Sequence, residues 1–380
     1  ETGLLSRWFC FESMHQMTQL FFDSALTPDG WQRNVVITIE NGMIASVVAG
    51  AQRAGQDFGG AIALPGMASL HSHSFQRGMA GLAETRGPVG DSFWTWRQVM
   101  YRFLGALTAD DVEAIAAFAF MEMLEGGFTG VGEFHYLHHG RDGTAYADLA
   151  EHSGRIVAAA ARVGIGLTLL PVLYMQGGFG GLPPTQGQRR FINPLDRYML
   201  LMEGARAAAR SYQGTVVGIA PHSLRAVGPE ALDAVVAAHP DGPIHIHVAE
   251  QMREVEDCLA WSGARPVQWL LDHQPVDARW CLIHATHMTP EEVAGVARRQ
   301  AVAGLCPLTE ANLGDGTFDL PGYRDAGGIY GVGTDSNIEI TAPGELKQLE
   351  YSQRLLLKAR NVAPVAEGQS SGGTLYRNAA

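Results

Sequence analysis

Eight short apolar runs, alternating with longer segments of helical periodicity, constrain the fold of this 380-residue chain more than any other feature. Apolar runs of this length are typical of buried strands. Strand and helix alternating eight times predict a (β/α)8 barrel. An open doubly wound sheet is the alternative, but it would gather its chemistry at one switch point. The predicted strands are 64–73, 128–136, 165–174, 216–222, 244–250, 280–287, 301–307 and 329–335. The predicted helices include 109–125, 153–163, 200–209, 229–238 and 289–299.

The segment before the barrel has a different pattern. Over 17–62, short apolar runs are separated by turn signals, and Asn41-Gly42 between two of them is a strong hairpin signal. We therefore predict a small β-sandwich module over 17–62 and the barrel over 63–380. Residues 1–16 have no periodic pattern, and we interpret them as an upstream extension, with the natural start near Met17.

Composition and charge narrow the class of partner. The net charge is −12, so a polyanion such as nucleic acid is a poor partner. No apolar run approaches the roughly 20 residues of a membrane span, and the N-terminus lacks a basic cluster before an apolar core. The four cysteines have no Cys-x-x-Cys spacing, which favours free thiols in a reducing cytoplasm. They are Cys10, Cys258, Cys281 and Cys306.

Residues able to bind a metal follow several predicted strands. His71 and His73 end the first strand, and positions i and i+2 lie on one face of a strand. The fifth strand carries His245, His247 and Glu250, the sixth ends at His284 and the eighth at Asp335. The carboxyl ends of barrel strands converge on one cavity. Three imidazoles and a carboxylate suit zinc, while iron stays possible, so the pattern predicts a metal-dependent enzyme.

Longer strings around these positions resemble the formimidoylglutamate deiminase family of the amidohydrolase superfamily. The resemblance extends from about Met17 to the C-terminus, and Trp94-Thr95-Trp96-Arg97 and Phe134-His135-Tyr136 are its most specific parts. The strings that carry it are 70–82, 92–97, 133–136 and 309–316. The resemblance implies hydrolysis of N-formimino-L-glutamate to N-formyl-L-glutamate and ammonia, a step of histidine degradation, by a cytoplasmic enzyme.

The resemblance also implies a ligand set and a metal count. The implied ligands of one zinc ion are His71, His73, His247 and Asp335. Superfamily members with two metals usually bridge them with a carboxylated lysine after the fourth strand. The chain has only two lysines, Lys347 and Lys358, and both follow the last barrel strand. A bridging lysine is therefore impossible in the barrel.

Roles for the remaining site residues follow from the implied reaction. Zinc lowers the pKa of its bound water toward about 7. Glu250 is placed to take the proton and pass it to the leaving nitrogen, and His284 to orient the hydroxide and steady the tetrahedral intermediate. The substrate is a small anionic dicarboxylate with an amidinium-like end, so arginines should meet its carboxylates. The expected substrate-binding residues are Gln76, Arg97, Tyr136, His222 and Arg225.

Several polar residues near the site have simpler explanations. His245 lies one layer below His247 and is expected to be a hydrogen-bonded core residue. His135, His138 and His139 follow the second strand, where a solvated loop would account for most of them. The glycine-rich segment 177–184 is interpreted either as a mobile loop over the site or as an ordinary surface loop.

The sequence departs from the family pattern at two places. Asn337 stands where the family leads us to expect histidine, and we expect modest effects. The family continues beyond this C-terminus, so the small β module is expected to be incomplete. Two alternatives remain open: another deaminase of the superfamily, acting on a purine-like or guanidine substrate, and a non-catalytic binding protein on the same barrel. A homodimer is also possible.

Overall fold

The computed structural model describes residues 17–87 and 90–380. They form two compact units that divide between Pro65 and Gly66. The predicted upstream extension, 1–16, lies outside the described residues. No helix in the described residues is both long and apolar enough to cross a membrane.

The first unit is one four-stranded sheet. Its strands are β1 Met17–Thr27, β2 Gly30–Glu40, β3 Met43–Val48 and β4 Asp57–Ala63. The spatial order is β3-β2-β1-β4; β1, β2 and β3 pair antiparallel, and β4 runs parallel to β1. The predicted hairpin turn forms at Asn41, whose φ of 53° is in the left-handed region that asparagine tolerates. The structure has a single sheet here and not the expected sandwich, because all four strands pair edge to edge.

The second unit contains a barrel of parallel strands, at each of the eight predicted positions. They are β5 Met67–Ser72, β6 Phe128–His135, β7 Gly166–Leu173, β8 Val216–Val217 with β9 Ala220–Pro221, β10 Ile244–Val248, β11 Trp280–His284, β12 Val302–Leu305 and β13 Ile329–Val332. Two parallel sheets result, one of β5 to β9 and one of β10 to β13.

Single bridges close these sheets into a barrel. Ile219 pairs with Ile244 at one seam, and Ser72 pairs with Asp335 at the other. At the second seam the Asp335 amide donates to the His71 carbonyl at 2.9 Å, and the His73 amide donates to the Asp335 carbonyl at 2.9 Å. The predicted (β/α)8 barrel is confirmed, and the second seam holds three predicted ligands side by side.

Helices follow the strands around the barrel. They are α1 Phe93–Leu104, α2 Ala109–Glu125, α3 Glu151–Val163, α4 Leu195–Ala209, α5 Pro229–Ala238, α6 Met252–Ser262, α7 Pro266–His273, α8 Pro290–Arg298, α9 Pro307–Leu313, α10 Leu320–Asp325, α11 Ala342–Leu357 and α12 Ser371–Ala379. Shorter 3-10 turns occur at Ser74–Met79 and Gln186–Gln188. Side-chain capping explains why α2 and α8 begin where they do. The Thr108 hydroxyl accepts from the Asp111 amide before α2, and the Thr289 hydroxyl accepts from the Glu292 amide before α8.

The strands of the second parallel sheet are deeply buried. All five residues of β10 and all five of β11 are buried, as expected for strands covered on both faces. Cys258, Cys281 and Cys306 are buried free thiols, while Cys10 lies outside the described residues. Histidines on such strands have few polar neighbours. The direction of the ring nitrogens therefore decides whether a histidine can bind a metal or forms hydrogen bonds within the core.

Candidate metal and substrate site

Four predicted metal ligands meet at the carboxyl end of the barrel. The ligand atoms of His71, His73, His247 and Asp335 all lie within 4.8 Å of one another, and all four residues are buried. His71 Nε2 is 3.2 Å from His73 Nε2 and 3.1 Å from His247 Nε2. Asp335 Oδ1 is 3.5 Å from His71 Nε2 and 3.3 Å from His73 Nε2. β5, β10 and the turn after β13 each supply part of this cluster.

Backbone carbonyls orient two of the imidazoles. His73 Nδ1 is 2.7 Å from the Phe134 carbonyl oxygen, and His247 Nδ1 is 3.0 Å from the His222 carbonyl oxygen. A carbonyl can only accept, so each Nδ1 carries the proton and each Nε2 presents a lone pair to the cluster. Such outer partners fix the orientation of metal-binding histidines.

The donor set fits one divalent metal ion. Ligands at about 2.0–2.1 Å from a tetrahedral ion lie about 3.3–3.4 Å apart, close to the four measured separations. Burial lowers the pKa of His71 to about 3, so these imidazoles are neutral and their lone pairs face one another. Burial alone would raise the pKa of Asp335, but His71 and His73 outweigh it and hold the pKa below its usual range. A bound cation would satisfy all four atoms at once.

Strained backbone is concentrated around this cluster. Five residues with side chains adopt the left-handed region at or just after strand ends: Ala249 at φ 51°, His284 at 67°, Ala285 at 48°, Asp335 at 43° and Asn337 at 55°. Such conformations cost of order 1–3 kcal/mol each and cluster at functional sites. Here they turn the chain sharply after β10, β11 and β13, which aims the last side chains of these strands into the barrel mouth.

Asn337 ties the ends of β5 and β13 together. Its Nδ2 lies 3.1 Å from the His73 carbonyl oxygen, 2.9 Å from the Asp335 carbonyl oxygen and 3.2 Å from Ser72 Oγ. The side chain is fully buried. Asn337 therefore holds two ligand-bearing segments in register, a larger role than the sequence suggested.

We expect Asn337→Gly to weaken metal binding by about 10- to 100-fold, the usual effect of removing an outer partner of a metal ligand. Glycine keeps the left-handed backbone without strain, so the change isolates the amide. Competition with a chelator measures the affinity. Asn41→Gly makes the same substitution at an exposed left-handed asparagine in the first unit. Equal metal affinity in both variants would remove the positioning role.

Glu250 and His284 lie beside the metal ligands. His284 Nε2 is 3.7 Å from Glu250 Oε1 and 3.8 Å from Asp335 Oδ2. Burial raises the pKa of Glu250 to about 7, against the opposing effects of His284 and Arg225. Burial lowers the pKa of His284, but Glu250 and Glu310 outweigh it and raise the pKa to about 10. A carboxyl group poised near neutral pH can both accept and return a proton.

Two glutamates that the sequence analysis did not single out support this pair. Glu310 Oε1 is 3.3 Å from His284 Nδ1 and accepts from the Cys306 amide at 2.8 Å. Glu254 accepts from the amides of Ala249 and Glu250, both at 3.3 Å. Each lies in the first turn of the helix after its strand, so the only sequence signal was a carboxylate soon after a barrel strand.

A cavity of about 550 Å3, including solvent at its mouth, opens over the metal ligands. Every predicted site residue except His71 lines it: His73, Gln76, Arg97, Tyr136, His222, Arg225, His247, Glu250, His284 and Asp335. Gln76 Nε2 donates to the Tyr136 hydroxyl at 2.9 Å, which fixes both side chains in the wall. Aromatic and apolar residues that were not predicted complete the lining: Phe93, Trp96, Met100, Tyr101, Tyr174, Phe191 and Leu313.

The two arginines of the cavity differ in their partners. Arg225 is largely buried, with Nη2 3.9 Å from Glu250 Oε2 and Nε 3.9 Å from Glu254 Oε2. Arg97 stacks over Trp94 with its guanidinium carbon 4.5 Å from the ring centre, and its buried Nε has no hydrogen-bond partner among the described residues. No carboxylate of the described residues forms an ion pair with Arg97, so its positive charge is available to the cavity.

The histidines after β6 differ from the expected solvated loop. His135, His138 and His139 are buried. His138 Nε2 is 2.8 Å from the Val172 carbonyl oxygen, and His135 Nε2 is 3.0 Å from Ser153 Oγ. The amides of His138 and His139 both donate to the Arg190 carbonyl, so the segment packs against 190–192 and loses its solvent. These histidines stabilise the wall behind the site.

Two further expectations have mixed outcomes. His245 is buried and outside the metal cluster, but its Nδ1 has no hydrogen-bond partner in the described part of the chain. In the glycine-rich segment, the Gly177 amide donates to the Leu182 carbonyl at 2.7 Å, and Phe179 stacks on Trp261. No residue of 177–184 lines the cavity. The segment is therefore an ordinary surface loop and not a loop over the site.

Comparison with known proteins decides the family. The amidohydrolase family model matches residues 62–368, and the model of the N-terminal domain of formimidoylglutamate deiminase HutF matches residues 17–60. Formimidoylglutamate deiminase from Pseudomonas aeruginosa is 51% identical over 362 residues, which cover 95% of this chain and 80% of that protein. The chain belongs to the formimidoylglutamate deiminase family. It is thus a hydrolase of the amidohydrolase superfamily.

Other relatives of this deiminase-family chain agree with the fold. The crystal structure of an amidohydrolase from Brucella melitensis superposes with a TM-score of 0.92 at 55% identity, covering 95% of this chain and 81% of that chain. An adenosine deaminase from Xanthomonas campestris, solved with bound zinc, gives a TM-score of 0.75 at 19% identity over 95% of this chain and 78% of that one. 8-Oxoguanine deaminase from Pseudomonas aeruginosa is 27% identical, covering 89% of this chain and 76% of that protein.

Proposed function

We propose that this chain hydrolyses N-formimino-L-glutamate to N-formyl-L-glutamate and ammonia, a step of histidine degradation. The observation that carries the proposal is the shared cavity: a cluster of metal ligands, a buried acid/base pair and two arginines line one space. The 51% identity to a formimidoylglutamate deiminase supports the choice of substrate. A non-catalytic binding role would need neither Glu250 nor His284 in this arrangement.

The substrate explains why the cavity holds both signs of charge. Formiminoglutamate has two carboxylates at one end and an amidinium-like group at the other. Arg97 and Arg225 suit the carboxylates, since guanidinium groups bind carboxylates with two parallel hydrogen bonds. Glu250 and Asp335, on the metal side, suit the nitrogen end. Gln76, Tyr136 and His222 line the cavity between these groups and offer hydrogen bonds to the substrate.

Hydrolysis adds the oxygen of water to the formimidoyl carbon and breaks a carbon–nitrogen bond, with ammonia leaving. His71, His73, His247 and Asp335 would hold a divalent metal ion, which would supply Lewis acidity and lower the pKa of water. Glu250 takes the proton of the attacking water and delivers it to the departing nitrogen. His284 donates from Nε2 to the oxygen of the tetrahedral adduct, while Glu310 holds its Nδ1.

Zinc is the metal we propose, with iron as the other candidate. Three imidazole nitrogens and one carboxylate oxygen form a borderline-soft donor set that zinc prefers, whereas magnesium would need more oxygens. The chain's two lysines lie in and directly after α11, away from the strand ends, so no lysine can bridge a pair of metals there. The homodimeric state and the cytoplasmic location remain predictions.

Replacing either cavity arginine should weaken binding of the dicarboxylate. We expect Arg97→Met to raise KM by about 10-fold or more with little change in kcat, because an ion pair to a desolvated carboxylate is lost. Arg225→Met should raise KM and also lower kcat, since Arg225 lies beside Glu250. Steady-state kinetics with formiminoglutamate measures KM and kcat of both variants and so distinguishes the two effects.

Arg253→Met is the matched control for this pair. Arg253 stacks over Trp94 at 4.7 Å, as Arg97 does at 4.5 Å, but it is largely exposed and does not line the cavity. Its variant should keep normal kinetics. An unchanged kcat/KM in both cavity variants would remove the carboxylate-binding role.

The decisive test of the proposed function is ammonia release from a substrate panel by the zinc-loaded protein. The panel contains formiminoglutamate, adenosine, guanine and a guanidino acid. We expect turnover of formiminoglutamate alone, with formylglutamate as the second product. Turnover of a purine instead would keep the metal chemistry and replace the substrate. Absence of ammonia from every substrate with fully metal-loaded, folded protein would contradict the proposal.

A further inference from the structure

A second group of metal-binding side chains lies next to the first. His284, Cys306 and Glu310 each offer one ligand atom, these atoms lie within 4.8 Å of one another, and all three residues are buried. His284 Nδ1 and Glu310 Oε1 are 3.3 Å apart, close to the separation of two ligands on one tetrahedral ion. Imidazole, thiolate and carboxylate together are a donor set for zinc and similar ions.

The fold brings these residues together through neighbouring strands. His284 ends β11, and Cys306 directly follows β12, the parallel neighbour of β11. Cys306 is the N-terminal cap residue of α9, and Glu310 lies one turn further along that helix. The group is therefore built on rigid elements, which favours a defined metal geometry over a chance cluster on a loop.

This group uses different atoms from the first metal site. His284 turns Nε2 toward Asp335 and Glu250 but Nδ1 toward Glu310. None of the four ligands of the first site belongs to the second group. The chemistry also differs, because the second group includes sulfur and the first has only nitrogen and oxygen donors. Sulfur gives the second site a spectroscopic signature of its own.

Glu310 connects the group to the protein surface. It lines an open groove with Pro307, Gly314 and Phe318, separate from the cavity over the first site. The groove has about 880 Å3 of space, including open solvent. This groove gives a small ion an approach to Glu310 apart from the substrate cavity, and an entry path is one requirement of a metal site.

We propose that His284 Nδ1, Cys306 Sγ and Glu310 form a second, inhibitory site for a borderline-soft divalent ion such as zinc, cobalt or cadmium. Binding replaces the Nδ1 proton of His284 and the thiol proton of Cys306, and both protons pass to solvent. Glu310 then gives up its hydrogen bond with His284 Nδ1 and binds the ion instead. The inhibitory half of this proposal rests on the proposed function, since His284 must be free to act; the binding half does not.

Cobalt titration of the metal-free protein tests the binding half. Cobalt bound to nitrogen and oxygen alone gives no sulfur-to-metal charge-transfer absorption in the near ultraviolet, so that band reports a cysteine ligand, which the second group has and the first site lacks. We expect the band in the wild-type protein, its loss in Cys306→Ala, and its retention in Cys258→Ala and Cys10→Ala. A titration to several equivalents without the band, or a band that survives Cys306→Ala, would overturn the site.

Excess zinc tests the inhibitory half. Protein loaded with one equivalent of zinc should lose formiminoglutamate turnover as further zinc is added, and Cys306→Ala should resist that loss at least 10-fold in zinc concentration. Cys258→Ala, at a buried thiol outside the group, should be inhibited like the wild type. Equal inhibition of Cys306→Ala and wild type would overturn the inhibitory role. A chain without deiminase activity would still show the cobalt band, so the two failures are distinguishable.

Discussion

Replacing Glu250 with glutamine is expected to lower kcat with formiminoglutamate by about 10²- to 10⁴-fold, the range for loss of a general acid/base. Glutamine keeps the size and planarity of the side chain but cannot accept and return a proton. Glu250 is not among the four atoms of the metal cluster, so the metal content should remain at one ion per chain. Kinetics together with elemental analysis of the same sample tests both statements.

The electrostatic effect of this substitution needs its own control. Glu254→Gln removes the same charge from the same surroundings, because Glu254 is buried and also lies 3.9 Å from Arg225. Glu254 contacts the amides of Ala249 and Glu250 and not the cavity, so its variant should lose far less turnover. Equal losses in the two variants would mean that charge near Arg225, and not proton transfer, causes the effect.

Strand geometry predicted that polar residues at several strand ends would gather at one cavity, and the family resemblance selected the four metal ligands among them. His71 and His73 share a face at spacing i, i+2, and the carboxyl ends of parallel strands converge. His247 and Asp335 end strands whose apolar character is evident in the sequence. Four residues that are far apart in the chain thus meet within 4.8 Å without any information on side-chain packing.

The supporting contacts could not be predicted because they depend on the exact paths of turns. Glu310, Glu254 and Asn337 act through hydrogen bonds to particular atoms in the turns and helix starts that follow strand ends. A shift of one residue in such a turn would direct these groups elsewhere. The sequence indicates that a polar residue follows a strand, but not which amide or carbonyl it reaches.

Close packing divides the predicted fourth barrel strand into two short strands. The sequence predicted one run over 216–222, whereas the structure has Val216–Val217 and Ala220–Pro221 separated at Gly218. A Cβ atom at Gly218 would lie 2.5 Å from the Pro243 carbonyl oxygen and 2.8 Å from a Leu170 methyl carbon. The neighbouring chain approaches so closely here that only glycine fits, and propensity alone does not reveal such a contact.

Removing the metal is expected to abolish turnover and to lower the melting temperature. Without a cation, three imidazole lone pairs and a carboxylate face one another at 3.1–3.5 Å in a buried site. Unsatisfied buried polar groups cost about 1–3 kcal/mol each. Conversely, an ion present at a thousand times its Kd stabilises the folded state by about 4 kcal/mol. Chelation, thermal melting and restoration with one equivalent of zinc measure both effects on one sample.

Two histidines of one strand provide the matched pair for this prediction. His247 belongs to the metal cluster, whereas His245, two residues earlier on β10 and also buried, does not. We expect His247→Asn to lose the metal and to show no further drop in melting temperature on chelation. His245→Asn should keep one ion and respond to chelation like the wild type, whatever its own stability. Full turnover by protein that elemental analysis shows to be metal-free would refute the metal's role.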